Sequence, residues 1–141
     1  MDDFTGLQNP AAIPALVLAY LGDAVYELRV RTYLVSCGYT KMDKLHKLAV
    51  GFVNASTQAQ VLHALSGTLN EVEEGVVRRG RNAKSGSIPK NTSMSDYRHG
   101  TAFESLIGYL YLCGSEDRIQ EIFEIARKLV LSAKEGDNNE G

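Results

Sequence analysis

The stretch Leu16-Val17-Leu18-Ala19-Tyr20-Leu21-Gly22-Asp23-Ala24-Val25-Tyr26 decides how this chain must fold. Tyrosines aside, Asp23 is the only ionisable side chain between Ala11 and Tyr26. Wound as a helix the segment is apolar nearly all the way round, which marks a helix covered on most sides. A step of about 100° per residue puts Leu16, Ala19, Tyr20, Asp23, Glu27 and Val30 on one face. Asp23 is therefore expected among apolar side chains and away from water. The stretch from Thr101 to Cys113 repeats the pattern, with Glu104 as its one acid or base other than tyrosine. A bare buried carboxylate costs several kcal/mol unless it is paired or bound to a metal.

Two glycines sharpen the expectation. Gly22 precedes Asp23, and Gly108 lies one turn after Glu104 on the same face. Glycine inside a helix costs about 1 kcal/mol relative to alanine, so it usually serves close backbone approach. Two helices crossing tightly there would bring both carboxylates into one pocket. Like charges so placed need a cation, and hard oxygen ligands suit Mg²⁺, with Mn²⁺ as a substitute. The bland alternative is an Asp23 that caps a neighbouring helix or pairs with Arg29 or Arg31. Glu27 either joins the site or serves as an i,i+4 partner for Arg31.

Outward from these segments the chain reads as all-α, one domain of about six to seven helices. No run alternates apolar and polar residues between turn pairs, as strands would require. The first long helix is read from about Pro14 to Ser36, with Gly38 as its stop. Residues Met42 to Leu65 are apolar at helical spacing but broken at Asn54-Ala55-Ser56-Thr57, giving two helices with a fresh cap at the break. Asn70 caps a helix over Glu71 to about Asn82, which starts acidic and ends basic. A long loop follows from Ala83 to Ser95, either functional or poorly ordered. Helices resume at about Asp96 to Leu112 and, after Ser115, up to Ser132. Residues 1–134 are read as the domain and residues 135–141 as a flexible acidic tail.

At 141 residues and a net charge of −2 the chain suits one soluble domain without general affinity for polyanions. The apolar run Ala11 to Leu21 is too short to span a bilayer, and the opening Met1-Asp2-Asp3 lacks the basic start of a secretory signal. Cys37 and Cys113 form no CxxC pattern and read as reduced core thiols, so a cytoplasmic protein is expected. Positive charge is instead local. Arg78, Arg79, Arg81, Lys84 and Lys90 occupy a stretch without a single acid, and Arg98 and His99 follow. This suits a phosphate backbone, although arginines also favour a helix C-terminus and a solvated loop is the plain reading. Most tyrosines fall on apolar helices and read as core or subunit-interface residues, with Tyr20 alone on the face of Asp23. His46, His63 and His99 are scattered and make no metal-ligand pair at helical spacing. His99 is a candidate RNA contact, and the other two read as helix-surface residues.

Leu21-Gly22-Asp23-Ala24-Val25 resembles the signature of ribonuclease III catalytic domains. Phe103-Glu104-Ser105-Leu106-Ile107-Gly108 is similar to that family's second acidic helix, and Arg79-Gly80-Arg81 with Ser85-Gly86-Ser87 to its glycine-rich basic stretch. The three agree in order and spacing over roughly residues 11 to 132. The resemblance implies that Asp23 is an essential active-site acid and Glu104 a direct metal ligand. Two further acids usual in the family are replaced, by Ala19 and Thr101, which leaves the number of ions per site open. The residues after Ser132 are not expected to form the double-stranded-RNA-binding domain that usually follows in the family. Such a chain resembles mini-ribonuclease III, a bacterial subfamily reduced to the catalytic domain. That resemblance implies a homodimeric, Mg²⁺-dependent endoribonuclease that cuts a double-stranded stalk of the large-subunit (23S) ribosomal RNA precursor. A large-subunit ribosomal protein is a plausible helper, because the acidic chain offers little affinity for naked duplex. The rival readings are a non-catalytic RNA-binding or ribosome-assembly module of the same fold and a small-molecule phosphohydrolase.

Overall fold

The computed structural model describes residues 9–84 and 86–140, with side chains described as far as residue 132. A short 3-10 turn, Pro10–Ala12, leads into six helices: α1 Ala15–Ser36, α2 Met42–Val53, α3 Ala55–Leu65, α4 Glu71–Asn82, α5 Met94–Leu112 and α6 Glu116–Glu140. No strand occurs among the described residues. The side chains of the expected acidic tail, 135–141, lie outside them, as does Ser85. No helix among the described residues is long and apolar enough to cross a membrane.

The local signals act where the sequence places them. Gly38, just past α1, takes a positive φ of 91°, a conformation that side chains resist. Asn54 divides α2 from α3, and its carboxamide oxygen accepts from the Thr57 N–H at 2.8 Å. Asn70 and Glu73 form a reciprocal capping box at the start of α4. Helix α5 begins two residues earlier than expected, because Ser93 accepts from the Asp96 N–H at 3.0 Å and caps it.

Helix α5 runs through the centre and packs against α1, α3, α4 and α6. Its Ala102, Phe103, Leu106 and Ile107 are fully buried. Aromatic rings fill the space between the remaining helices. Tyr26 meets Phe103 edge-on at 4.9 Å between centroids, and Phe52 stacks on Phe123 at 5.7 Å. The Tyr26 hydroxyl donates to the Phe52 carbonyl at 3.3 Å, so its one polar atom is satisfied inside the core.

Glycines set how closely the helices approach α5. A Cβ on Gly22 would overlap the Glu104 carbonyl oxygen and come within 2.8 Å of the Gly108 nitrogen. A Cβ on Gly108 would overlap the Leu18 carbonyl oxygen and lie 3.1 Å from the Gly22 nitrogen. On α4, a Cβ on Gly80 would lie 2.8 Å from both the Ala102 Cα and the Ser105 Oγ. The expected tight crossing of α1 and α5 is thus present, and α4 closes on the same part of α5. Gly22→Ala and Gly108→Ala should each lower the unfolding free energy by about 2–4 kcal/mol, since backbone must move to admit the methyl group. Gly51→Ala in α2 meets only a Val130 methyl at an ordinary 3.8 Å and should be neutral or stabilising by up to about 1 kcal/mol. Urea unfolding followed by circular dichroism tests the contrast.

Candidate active site

At the glycine crossing, the turn of α5 that carries Glu104 rests on the turn of α1 that leads into Asp23. This seating brings the two carboxyl groups within hydrogen-bonding reach of each other. Loss of hydration raises the Glu104 carboxyl most; the hydrogen bond and negative charge of Asp23, and the charge of Glu27, raise it further, to about 8. Without a cation, Glu104 therefore keeps its proton at neutral pH and donates it to Asp23.

The structure corrects the expected burial of Asp23. The covered side of α1 is Leu18, Ala19, Gly22, Tyr26, Val30 and Leu34. Asp23 lies at the edge of that side and is exposed, one turn after Tyr20, which is 84% exposed. An apolar surface all round α1 does not mean cover all round within one chain. The desolvation argument holds for Glu104, which is half-buried, and not for Asp23.

The arginines that could have neutralised Asp23 are engaged elsewhere. Arg31 pairs with Glu27 at 2.9 Å, the i,i+4 pairing expected of them. Arg29 reaches across to α6, with Glu116 at 2.6 Å and Gln120 at 2.7 Å. Ala19 is a buried methyl, and the Thr101 hydroxyl donates to the Tyr97 carbonyl at 3.1 Å, so neither position supplies a carboxylate. Among the described residues no group of three or more His, Cys, Asp or Glu side chains is set to enclose a metal ion. Two adjacent carboxyl groups nevertheless fit Mg²⁺, which takes one or two carboxylates and completes its octahedron with water and substrate phosphate oxygens.

The arginines of α4 branch from a turn packed on the same part of α5. Arg79 and Arg81 lie on either side of Gly80, and Gly80 abuts Ala102 and Ser105, on the turn that holds Glu104. Ser105 fastens the junction by donating to the Ala15 carbonyl at 2.8 Å. Arg78, Arg79, Lys84, Lys90 and Arg98 are exposed and Arg81 is half-buried, and none forms an ion pair among the described residues.

Other expectations change. Cys37 and Cys113 are free but exposed, because each stands just past the end of its helix. His63 and His99 are not scattered: their rings stack at 5.4 Å between centroids, with 28° between the planes. No sequence spacing signals that contact, since it arises only when α3 packs against α5.

An acid whose pKa is raised by folding holds a proton that the unfolded chain has lost. Without divalent cations, stability should therefore fall as pH rises from the ordinary glutamate value of 4.5 through about 8. Glu104→Gln should be more stable than the natural chain at pH 8 to 9, by on the order of a few kcal/mol, and the gap should close near pH 4. Added Mg²⁺ should raise the melting temperature of the natural chain and leave that of Glu104→Gln nearly unchanged. Thermal melts at several pH values check both outcomes.

Comparison with known proteins gives the family. The Ribonuclease III domain family model matches residues 16–115. A Mini-ribonuclease 3 of Brevibacillus brevis is 54% identical over 123 residues, covering 87% of this chain and 92% of that protein. A Mini-ribonuclease 3 of Clostridium tetani is 46% identical, covering 98% and 93%. An X-ray structure of a protein from Fusobacterium nucleatum superimposes with a TM-score of 0.76 at 32% identity, covering 83% of this chain and 93% of that one. With acidic helices, glycine crossing and basic stretch all in place, the chain belongs to the ribonuclease III family of RNA-cleaving enzymes.

Proposed function

We propose that this chain is a Mg²⁺-dependent endoribonuclease that cuts both strands of double-stranded RNA as a homodimer, with Asp23 and Glu104 at its active centre. The observation that carries this reading is the Asp23–Glu104 pair, held by backbone contact at Gly22 and Gly108, with no arginine spent on neutralising it. Its physiological substrate is the base-paired stalk of a 23S ribosomal RNA precursor, in the bacterial cytoplasm. The resemblance of its motifs to mini-ribonuclease III supports that substrate. With a net charge of −2 the chain favours a substrate presented by a ribosomal protein over naked RNA.

Asp23 and Glu104 would hold the ion, Glu104 releasing its proton as the cation enters. When bound, a divalent ion lowers the pKa of a coordinated water and neutralises charge developing on the scissile phosphate. Glu104 is fixed by its seat in α5 and Asp23 by the rigid turn after Gly22, so the two oxygens keep their relative positions. Arg78, Arg79, Arg81, Lys84, Lys90 and Arg98 bind the duplex through phosphate contacts, as A-form RNA is recognised mainly by shape and backbone.

The homodimer draws support from the uncovered side of α1. Leu16, Val17, Tyr20, Leu28 and Val35 are exposed there. Beside them a groove of about 650 Å³ opens between α1 and α6, lined by Ala24, Leu28, Tyr33, Tyr111 and Phe123. A second copy related by a two-fold axis would cover this face and place two sites symmetrically on antiparallel strands.

Asp23→Asn and Glu104→Gln should each reduce Mg²⁺-dependent cleavage of duplex RNA at least roughly a hundredfold, about 3 kcal/mol of transition-state stabilisation, while duplex binding persists. Cleavage should weaken steeply as salt rises. Binding without cutting by the natural chain would instead favour a non-catalytic module, the reading to which the lost acids at Ala19 and Thr101 point. Leu28→Asp should yield a monomer by light scattering with at least tenfold less cleavage, and an unchanged dimer would refute this face as the interface.

A further inference from the structure

A second cleft lies away from Asp23 and Glu104. It occupies about 370 Å³ between the end of α3, the outer side of α4 and the first turns of α5. Its floor is apolar, formed by Leu62, Leu69 and Val77. Its rim carries His63 and Ser66 from α3, Arg78 and Arg81 with Glu74 from α4, and His99 from α5. His99 stands five residues before Glu104, so it points about 140° away around α5.

Four features of this rim indicate an anion. Arg78 and Arg81 line the cleft and form no ion pair among the described residues. Glu74 is the one acid on the lining, which leaves a positive excess before either histidine is protonated. The His99 Nδ1 lies 2.7 Å from the Ser95 carbonyl, an atom that can only accept, so Nδ1 carries its hydrogen. That bond fixes the ring and leaves Nε2 as the nitrogen free for a ligand, a donor to an oxyanion in the imidazolium form. The stacked rings do not converge on a metal: no group of metal-binding side chains of sufficient number occurs among the described residues. Guanidinium forks, imidazoles and a hydroxyl on an apolar floor match a tetrahedral phosphate oxyanion carried by a larger ligand.

We infer that the cleft formed by His63, Ser66, Arg78, Arg81 and His99 is a phosphate-binding site separate from the catalytic pair. The phosphate belongs either to the backbone of a bound RNA or to a free nucleotide. It follows that the basic stretch has two faces: Arg78 and Arg81 line this cleft, whereas Arg79, one residue on from Arg78, does not.

Histidine ring resonances of the full chain, in chelator, report the site directly, with His46 on α2 as internal control. Inorganic phosphate, AMP and a short RNA duplex are titrated separately. The His63 and His99 signals should move saturably while those of His46 stay still. Movement with phosphate and AMP but not duplex assigns a free nucleotide; movement with duplex assigns a backbone contact. Arg78→Gln with Arg81→Gln should weaken phosphate binding at least tenfold, and Glu74→Gln, which removes the opposing charge, should tighten it severalfold. No movement of His63 and His99 with any probe, equal movement of all three histidines, or indifference to Glu74→Gln overturns the site. A chain with unresponsive histidines that still cuts duplex RNA in Mg²⁺ would overturn this inference alone and leave the Asp23–Glu104 reading intact.

Discussion

Backbone meets backbone where Gly22 of α1 crosses Gly108 of α5, and the rest of the structure is arranged around that contact. Each missing side chain is replaced by a carbonyl of the facing helix, that of Glu104 at Gly22 and that of Leu18 at Gly108. Packing at this distance has no slack, because main-chain atoms cannot change rotamer to relieve a clash. The consequence is chemical as well as mechanical. Asp23 directly follows Gly22 and Glu104 stands one turn before Gly108, so the same contact that joins the helices fixes the separation of the carboxyl groups. A longer side chain at either glycine would part the helices and the acids together.

The electrostatics follow from unequal cover. Glu104 sits in the central helix and loses hydration, while Asp23 faces outward from the edge of the fold. Without a cation the half-buried Glu104 holds its proton. This asymmetry makes the pair tolerable without a cation. It also locates the acids beside the broad apolar side of α1 that this single chain leaves open. Nearby charges are organised to leave the pair alone, with Arg31 held by Glu27 and Arg29 drawn across to Glu116. A further pair, Arg118 with the buried Glu73 at 3.3 Å, ties α6 to the start of α4 and so steadies the helix that delivers the arginines.

Much of this was legible in the chain. Single acids in apolar helices, glycines one residue or one turn away, and the caps Asn54 and Asn70 are local features, and local physics acts on them in the same way in any fold. The burial of Asp23 was misjudged because helical periodicity tells which residues share a face but not whether anything covers it. Cys37 and Cys113 were misjudged for a related reason: apolar character near a helix end does not ensure cover beyond that end.

By itself the sequence determined the helices, the caps at Asn54 and Asn70 and the close approach of α1 to α5. These depend on backbone propensity and on the cost of glycine, which nearby residues set. Only the tertiary structure decided which side of α1 stays open, which acid keeps its proton, and that His63 and His99 meet across a cleft with Arg78 and Arg81. Those outcomes depend on which helix lies against which, and contacts between residues tens of positions apart leave no periodic trace in the chain.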